Sequence, residues 1–146
     1  MILADANLLI YAIDRDAPHH RRAHAWLVSI MSDVTPVALA WIVILAFLRI
    51  TTRTGIMRNP LTPEQAIRYV DSWLAQPHVV VAWPGEQHWS ILRSLLLASG
   101  TAGNLTSDAH LAAIAIEKGA TIHTADNDFR RFAGIRVLNP IDKQSH

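Results

Sequence analysis

Residues 106–129 read "TSDAHLAAIAIEKGATIHTADNDF" and show the pattern of a helix, a helix-ending glycine and a strand in direct succession. The segment TSDAHLAAIAIEKG is predicted to form a helix that ends at Gly119, because glycine is common just after the last helical turn. The following TIHTAD is predicted as a strand that ends in an acid, and NDFRRF as a turn of helix. A helix that leads straight into a strand indicates β–α–β units and a parallel sheet.

The same alternation runs through the rest of the chain. Predicted strands are MILAD (1–5), VALA (37–40), HVVVAW (78–83) and IRVL (135–138); predicted helices are PHHRRAHAWLVSIM (18–31), WIVILAFLRITTR (41–53), TPEQAIRYVDSWLAQ (62–76) and EQHWSILRSLLLAS (86–99). The helix at 62–76 has the strongest start signal, because Thr62 and Gln65 can form a capping box around Pro63. The pattern predicts an α/β fold with a central, mainly parallel sheet and helices on both faces.

Length and composition limit the class of protein. A chain of 146 residues is expected to form one domain, here residues 1–140, followed by a flexible tail IDKQSH at 141–146. The longest apolar run, Val37 to Leu48, is too short to span a membrane, which takes roughly 20 residues. Because the start of the chain lacks a signal peptide pattern and there is no cysteine, we expect a cytoplasmic protein with no membrane segment.

Charge and apolar content bear on the partners. The formal net charge is only +1, so binding to nucleic acid would depend on a local basic patch. Hydrophobic residues make up 51% of the chain and charged residues 17%, which predicts that a partner covers part of the surface.

Acidic residues follow the predicted strands at the edge where open parallel sheets bind ligands. Asp5 ends the first predicted strand, Asp126 the fourth, Asp128 comes two residues later, and Asp108 opens the helix before the fourth strand. Clustered carboxylates repel one another, and a divalent cation such as Mg²⁺ or Mn²⁺ relieves that repulsion through oxygen ligands. Such a centre can activate water against a phosphodiester.

Each acid also has a simpler interpretation. Asp108 can favour the helix dipole, and Asp128 can be a turn or cap residue. Asp5 is harder to explain without a role, because a charge directly after a buried strand is costly. Asn7 is either a local turn former or a partner that orients Asp5.

Nearly the whole chain resembles the PIN-domain ribonucleases, specifically VapC-type toxins of bacterial toxin–antitoxin pairs. The matching segments are MILADANLLIYA, WIVILAFLRITTR, GNLTSDAHLAAIAIEKGATIHTADNDF and IRVLNP. The resemblance implies a three-layer α/β/α fold, Mg²⁺- or Mn²⁺-dependent cleavage of structured RNA such as tRNA or rRNA, homodimerisation and a VapB-like antitoxin. It also implies that Asp5, Asp108 and Asp126 hold metal, with Asp128 close by and Asn7 beside the first acid.

One position departs from the family pattern. Many PIN domains carry a glutamate on the second helix, in a pattern like EFLR, where this chain has Ala46 in ILAFLR. Three explanations remain open: this branch works naturally with the other acids, the alanine is an engineered knockout of a toxic protein, or the protein binds its partners with little nuclease activity.

Two arginines follow Ala46 on the predicted helix. Arg49 and Arg53 are spaced to share a face with it, and they can hold RNA phosphates or simply face solvent at a helix end. The histidines show no HExxH zinc spacing.

Two other functions are also consistent with parts of the pattern. A HAD-like phosphatase or a receiver domain also has an aspartate after the first strand, although Asn7 and the late strands do not fit their further requirements. An inert antitoxin- or RNA-binding module would explain Ala46 and the high apolar content.

Overall fold

The strands form one parallel sheet in the computed structural model, which describes residues 1–143. They are β1 (Ile2–Ala4), β2 (Val37–Ala40), β3 (Val79–Ala82), β4 (Thr121–His123) and β5 (Arg136–Leu138). Their order across the sheet is β3–β2–β1–β4–β5, and every neighbouring pair is parallel. The predicted parallel α/β fold is therefore confirmed.

Helices connect the strands. They are α1 (Ala6–Ile13), α2 (His20–Ser32), α3 (Trp41–Thr51), α4 (Pro63–Leu74), α5 (His88–Ser99), α6 (Thr106–Lys118) and α7 (Pro140–Lys143), with 3₁₀ turns at Gly103–Leu105 and Asn127–Arg131. The chain moves from β1 outward to β3 and then returns past β1 to β4. Right-handed connections therefore place α1–α4 and α5–α6 on opposite faces of the sheet, while α7, which follows β5, packs against α2.

The predicted capping box and helix stop are confirmed. The Thr62 hydroxyl accepts a hydrogen bond from the Gln65 backbone N–H at 3.2 Å, and the Gln65 side chain accepts one from the Thr62 N–H at 2.9 Å. Helix α6 ends at Gly119, which has the left-handed φ of +66° that glycine adopts without strain. The capping box thus marks the start of α4, and Gly119 marks the end of α6.

The predicted element bounds were wrong in several places. Helix α1 was not predicted; it follows β1 after the single residue Asp5, whose side chain caps it. Helix α3 ends at Thr51, so Arg53 lies beyond it. Strand β4 ends at His123, three residues before Asp126.

The predicted flexible tail begins too early. Residues Ile141 to Lys143 belong to α7, and Ile141 is buried, because its side chain completes the core next to α2. Residues 144–146 lie outside the described residues.

The apolar run that stood out in the sequence is the centre of the fold. All four residues of β2 are buried, and α3 buries Val43, Ile44 and Phe47 in the same core. Within residues 1–143, every helix is too short or too polar to cross a membrane.

Candidate active site

The strand order itself marks where a site is expected. Connections leave β1 toward β2 on one side, and β4 lies on its other side, so the chain reverses direction around β1. Crevices at the carboxyl ends of strands beside such a reversal are the usual ligand sites of open parallel sheets. Asp5 directly follows β1, and the segment Thr124–Asp126 directly follows β4.

Asp5 has a structural and an electrostatic role at this edge. Its carboxylate caps α1 by accepting a 2.7 Å hydrogen bond from the Ala6 N–H, and its other oxygen accepts one from the Thr124 hydroxyl at 2.8 Å. Burial raises the pKa of Asp5, and the negative charge of Asp126 adds to that effect, while the bonds from Thr124 and Ala6 oppose it. The two bonds hold the carboxylate in one orientation.

Thr124 connects the two strand ends, and sequence reasoning missed it. Its fully buried hydroxyl donates to Asp5 and accepts hydrogen bonds from the Asp126 N–H at 2.9 Å and the Asn7 side chain at 3.2 Å. A single hydroxyl thus fixes one acid directly and the backbone of another. The only sequence signal was a polar residue between a buried strand and an acid.

Asn7 orients this edge by a different route from the one predicted. Its amide donates to the Thr124 hydroxyl, and its carbonyl oxygen accepts from the Ala125 N–H at 3.2 Å. Of the two interpretations of Asn7, the structure favours the partner of Asp5, although the contact is indirect: Thr124 receives the bond from Asn7 and donates to Asp5.

Asp126 and Asp128 occupy the loop after β4. Asp126 is half-buried and caps the 3₁₀ turn by accepting a 2.8 Å hydrogen bond from the Asp128 N–H. Asp128 is exposed and forms an ion pair with Arg131 at 3.5 Å. Asp128 therefore lies in the turn, as one interpretation predicted, but the side chain that caps this turn is that of Asp126. The negative charge of Asp128 still contributes to raising the pKa of Asp108.

Asp108 enters the site from α6. Burial raises the pKa of Asp108 to about 6, and the negative charges of Asp5, Asp126 and Asp128 contribute in that order, partly offset by Arg131. The acids predicted from the sequence thus lie close enough to interact electrostatically, although they come from three separate segments of the chain.

A cavity of about 370 Å³ brings two of these acids together with the wall of α3. It is lined by Asp5, Ala6, Ile42, Val43, Leu45, Ala46, Arg49, Ser107, Asp108 and Leu111. Ala46 lies on this wall, so a glutamate at that position would project toward the acids. Arg49 is one turn further along α3 and supplies a cation to the same space.

Arg53 does not share this position. Because α3 ends at Thr51, Arg53 leaves the helical register that would align it with Ala46 and Arg49, and it is not part of the cavity lining. The predicted common face of the three residues is therefore wrong for Arg53.

His110 contacts α5 and does not line the acid cavity. Its ring nitrogen lies 2.9 Å from that of His88 on α5, and burial together with His88 lowers the pKa of His110. This pair joins α5 to α6 outside the cavity lining.

The donor set suits a hard divalent cation with open coordination. Among residues 1–143, no group of three or more acidic or histidine side chains converges as a complete metal centre. Carboxylate oxygens line the cavity, however, and the charges of neighbouring acids add to the effect of burial in raising the pKa of Asp108, so a cation there would relieve repulsion. Mg²⁺ commonly uses one or two carboxylates and keeps several waters, which fits this arrangement.

Comparison with known proteins settles the family. The model of the PIN domain matches residues 2–135. The chain belongs to the PIN-domain family. It is 43% identical to ribonuclease VapC37 of Mycobacterium tuberculosis over 96% of this chain and 97% of the relative. It is also 43% identical to ribonuclease VapC33 of the same species, over 97% and 99%.

Solved PIN-domain structures share the fold. VapBC2 from Rickettsia felis, bound to a DNA fragment from its promoter, matches 95% of this chain and 98% of that chain with a TM-score of 0.67 at 19% identity. Mycobacterium tuberculosis VapC20, a toxin that cleaves the sarcin–ricin loop, matches 93% and 99% with a TM-score of 0.65 at 17% identity. Membership of the PIN-domain family removes the reason to consider a HAD-like phosphatase or a receiver domain.

Proposed function

We propose that this chain is a metal-dependent endoribonuclease that acts as the toxin of a toxin–antitoxin pair, with Mg²⁺ or Mn²⁺ as its cofactor. The observation that carries the proposal is the cavity in which Asp5 and Asp108 meet, with Asp126 near enough to raise the pKa of Asp108. The curated relatives, which are named as VapC ribonucleases, support the reaction class.

Each residue of the site has a distinct role in this proposal. Asp5 and Asp108 hold the cation, with Asp126 contributing charge beside them and Asp128 at the rim. The bound cation supplies an activated water and neutralises charge on the phosphodiester. Arg49 faces the same cavity and holds a phosphate group through charge-assisted hydrogen bonds.

The shape and charge of the site support a proposal for the substrate class. Acids occupy the cavity and a single arginine lines its wall, so the site engages one phosphodiester at a time and does not follow a duplex. Unpaired loops are the part of a structured RNA where a protein can separate and recognise bases. We therefore favour loops of tRNA or rRNA, which are cytoplasmic targets.

A cleavage assay with a matched pair of variants tests the proposal. Purified protein is incubated with tRNA and rRNA over a range of Mn²⁺ concentrations, with a chelator as the reference. We expect Asp108→Asn to lower the rate by about 100-fold or more, as loss of a metal ligand does. Asp71→Asn removes an exposed acid from α4, outside the cavity, and should cut at the parent rate. Metal-independent cleavage, or equal loss in both variants, contradicts the proposal.

The alternative of an impaired binding module rests on Ala46. Because Ala46 lines the acid cavity, the site has one carboxylate fewer than the family pattern implies. An impaired protein would bind antitoxin or RNA without cutting RNA and without depending on a divalent cation. Tight antitoxin binding with no cleavage of any tested RNA would favour this alternative, and clear carboxylate-dependent binding of Mn²⁺ by calorimetry would argue against it.

The antitoxin is proposed to use a groove on another face. One depression of about 390 Å³ is lined by Leu61, Gln65, Arg68, Tyr69 and Ser72, and a second of about 280 Å³ also includes Tyr69 and Ser72 and reaches α2. Val28 lines the second depression and is 51% exposed. An amphipathic antitoxin segment fits such a groove, with an Arg or Lys further along it placed in the acid cavity.

Two valines provide a matched test of this groove. Val28→Glu should weaken binding of the cognate antitoxin by about tenfold or more, since burying a charge costs over 1.4 kcal/mol. Val34→Glu changes an 87% exposed valine outside both depressions and should bind normally. If binding also survives conversion of Asp5, Asp108 and Asp126 to Asn, the antitoxin does not need a cation in the acid cavity.

A homodimer is proposed on the apolar surface beside the cavity. The exposed rings of Trp41 and Trp83 meet edge-on with centroids 5.9 Å apart, and Leu45 lies one turn after Trp41 and is 60% exposed. A second copy would cover this surface, which is unusual for a monomer. Sedimentation should show a dimer for the parent and a monomer for Trp83→Lys; a monomeric parent contradicts the proposal.

A further inference from the structure

The loop that carries Asp126 is held from the side opposite to Thr124 by Asn139. This residue follows β5, precedes α7 and is only 6% exposed. Its side-chain amide lies within hydrogen-bond distance of three acceptors: the Ala125 carbonyl oxygen at 3.3 Å, the Asn127 side-chain oxygen at 3.3 Å and the Asp142 carboxylate at 3.2 Å. The buried amide thus contacts the residue before Asp126 and the residue after it.

These contacts fix the peptide that leads into Asp126 at both ends. The Ala125 carbonyl accepts from Asn139, and the Asp126 N–H of the same planar peptide donates to the Thr124 hydroxyl at 2.9 Å. The preceding peptide is held by the Ala125 N–H, which donates to Asn7 at 3.2 Å. With these peptide planes held, the backbone position from which Asp126 extends its carboxylate is fixed.

The same asparagine caps the last helix, which anchors it. Its side-chain oxygen accepts from the Ile141 N–H at 2.9 Å and the Asp142 N–H at 3.3 Å, the pattern of an N-cap. Ile141 is 3% exposed, and its carbonyl accepts a 3.1 Å hydrogen bond from Arg22 on α2. The amide that reaches Ala125 is therefore attached to a buried, cross-braced segment.

We propose that Asn139 is a positioning residue for the nuclease site, which holds Asp126 in place by clamping the Ala125 peptide from the C-terminal side. The inference rests on the proposed function, because positioning of Asp126 matters only if Asp126 takes part in metal-dependent cleavage. It gives the C-terminal helix α7 a role in the acid site, although the cavity lining contains none of its residues.

The substitution Asn139→Ser separates the clamp from the cap. Serine keeps a side-chain oxygen that can cap α7, but it has no amide to reach Ala125. Asn59→Ser is the matched control, since Asn59 is exposed and donates to Asp16, far along the chain from Asp126. Comparing the two variants removes the general effect of replacing an asparagine.

Three readouts are needed: Mn²⁺ binding by calorimetry, the Mn²⁺ concentration that gives half-maximal cleavage, and amide hydrogen exchange in chelator. We expect Asn139→Ser to weaken Mn²⁺ binding and raise the half-maximal concentration by about tenfold, as loss of an outer-shell partner does. Exchange should accelerate at the amides of Ala125, Asp126 and Asp128, while the strands and the Asn59→Ser control remain at the parent rate.

The outcomes are distinguishable. Unchanged Mn²⁺ binding and unchanged exchange of the 125–128 loop overturn the proposal, and so does acceleration spread evenly over the chain, which would indicate only lost stability. If the parent itself fails to cleave RNA, the proposed function fails, and the metal-free exchange measurement still decides the inference. Local acceleration then supports the clamp, and parent-like exchange overturns it.

Discussion

Replacing Thr124 with valine should destabilise the fold and disorder the acid site together. Valine has nearly the shape of threonine, so the change removes the hydroxyl without opening a cavity in this fully buried position. Three hydrogen bonds are lost: the donation to Asp5 at 2.8 Å and those accepted from the Asp126 N–H and Asn7. The variant therefore tests whether this hydroxyl organises the site.

The size of the effect follows from these bonds. A hydrogen bond to a charged group contributes about 1.5–3 kcal/mol, and a buried N–H left without a partner costs about 1–3 kcal/mol. Allowing for some relaxation, we expect a loss of about 3 kcal/mol in the free energy of unfolding. For a domain of this length, that corresponds to a fall in Tm of roughly 6–12 °C.

The variant should also change how the site responds to pH. The bond from Thr124 opposes the effect of burial on the pKa of Asp5, so its loss raises that pKa further. The charged form of Asp5 loses more than the protonated form does. The gap in Tm between valine and parent is therefore wider at pH 8 than at pH 5, and the acidic limb of the cleavage profile moves to higher pH.

Thr124→Ser provides the control, because it keeps the hydroxyl and loses only a methyl group. Thermal unfolding is followed by circular dichroism in chelator at both pH values, and cleavage is measured with saturating Mn²⁺. Serine should lose about 1 kcal/mol and keep the parent pH profile. Equal effects of serine and valine on the pH profile would refute the role assigned to the hydroxyl.

Three other substitutions probe the cavity. Ala46→Glu adds a carboxylate to the wall, so it should lower the half-maximal Mn²⁺ concentration for cleavage by about tenfold; unchanged Mn²⁺ binding by calorimetry would contradict this. In chelator, Asp108→Asn should raise Tm at pH 8 by about 2–4 °C, because it removes a carboxylate whose pKa is raised to about 6 in the folded state. The gain in Tm should vanish near pH 4, where the parent carboxyl is neutral in the folded state. An equal gain at both pH values would count against the electrostatic origin. Arg49→Gln should raise KM for RNA by about tenfold with a smaller change in kcat. Arg93→Gln replaces an exposed arginine on α5 and should leave both KM and kcat unchanged. Matching kinetics of the two variants would rule out a phosphate contact by Arg49.

The sheet and the acids could be predicted because their signals are local. Buried parallel strands are continuous apolar runs, and a capping box or a glycine marks a helix end within a few residues. Asp5 and Asp108 could be placed at one edge because topology brings the ends of parallel strands together.

The connections between those acids could not be predicted in the same way. Asn7 and Thr124 are 117 positions apart, and Asn139 reaches Ala125 across a strand, so no short window of sequence shows either contact. A hydroxyl or an amide has no periodicity that distinguishes a buried bridge from a loop residue. Arg53 was misplaced for a related reason, since the helix ends at Thr51 although polar and basic residues continue its pattern.

The capping bond of Asp5 has a practical consequence for anyone who needs an inactive form of this protein. The carboxylate that faces the cavity also satisfies the first N–H of α1, which is the helix that carries Asn7. Asp5→Ala would therefore remove the cavity carboxylate and weaken the start of α1 at the same time. Loss of cleavage in this variant could then be confused with loss of folding. Asp108 is the third residue of α6 and not its N-cap, which is Leu105, and it has no capping bond among residues 1–143. Asp108→Asn is therefore the cleaner choice for trapping RNA or antitoxin complexes.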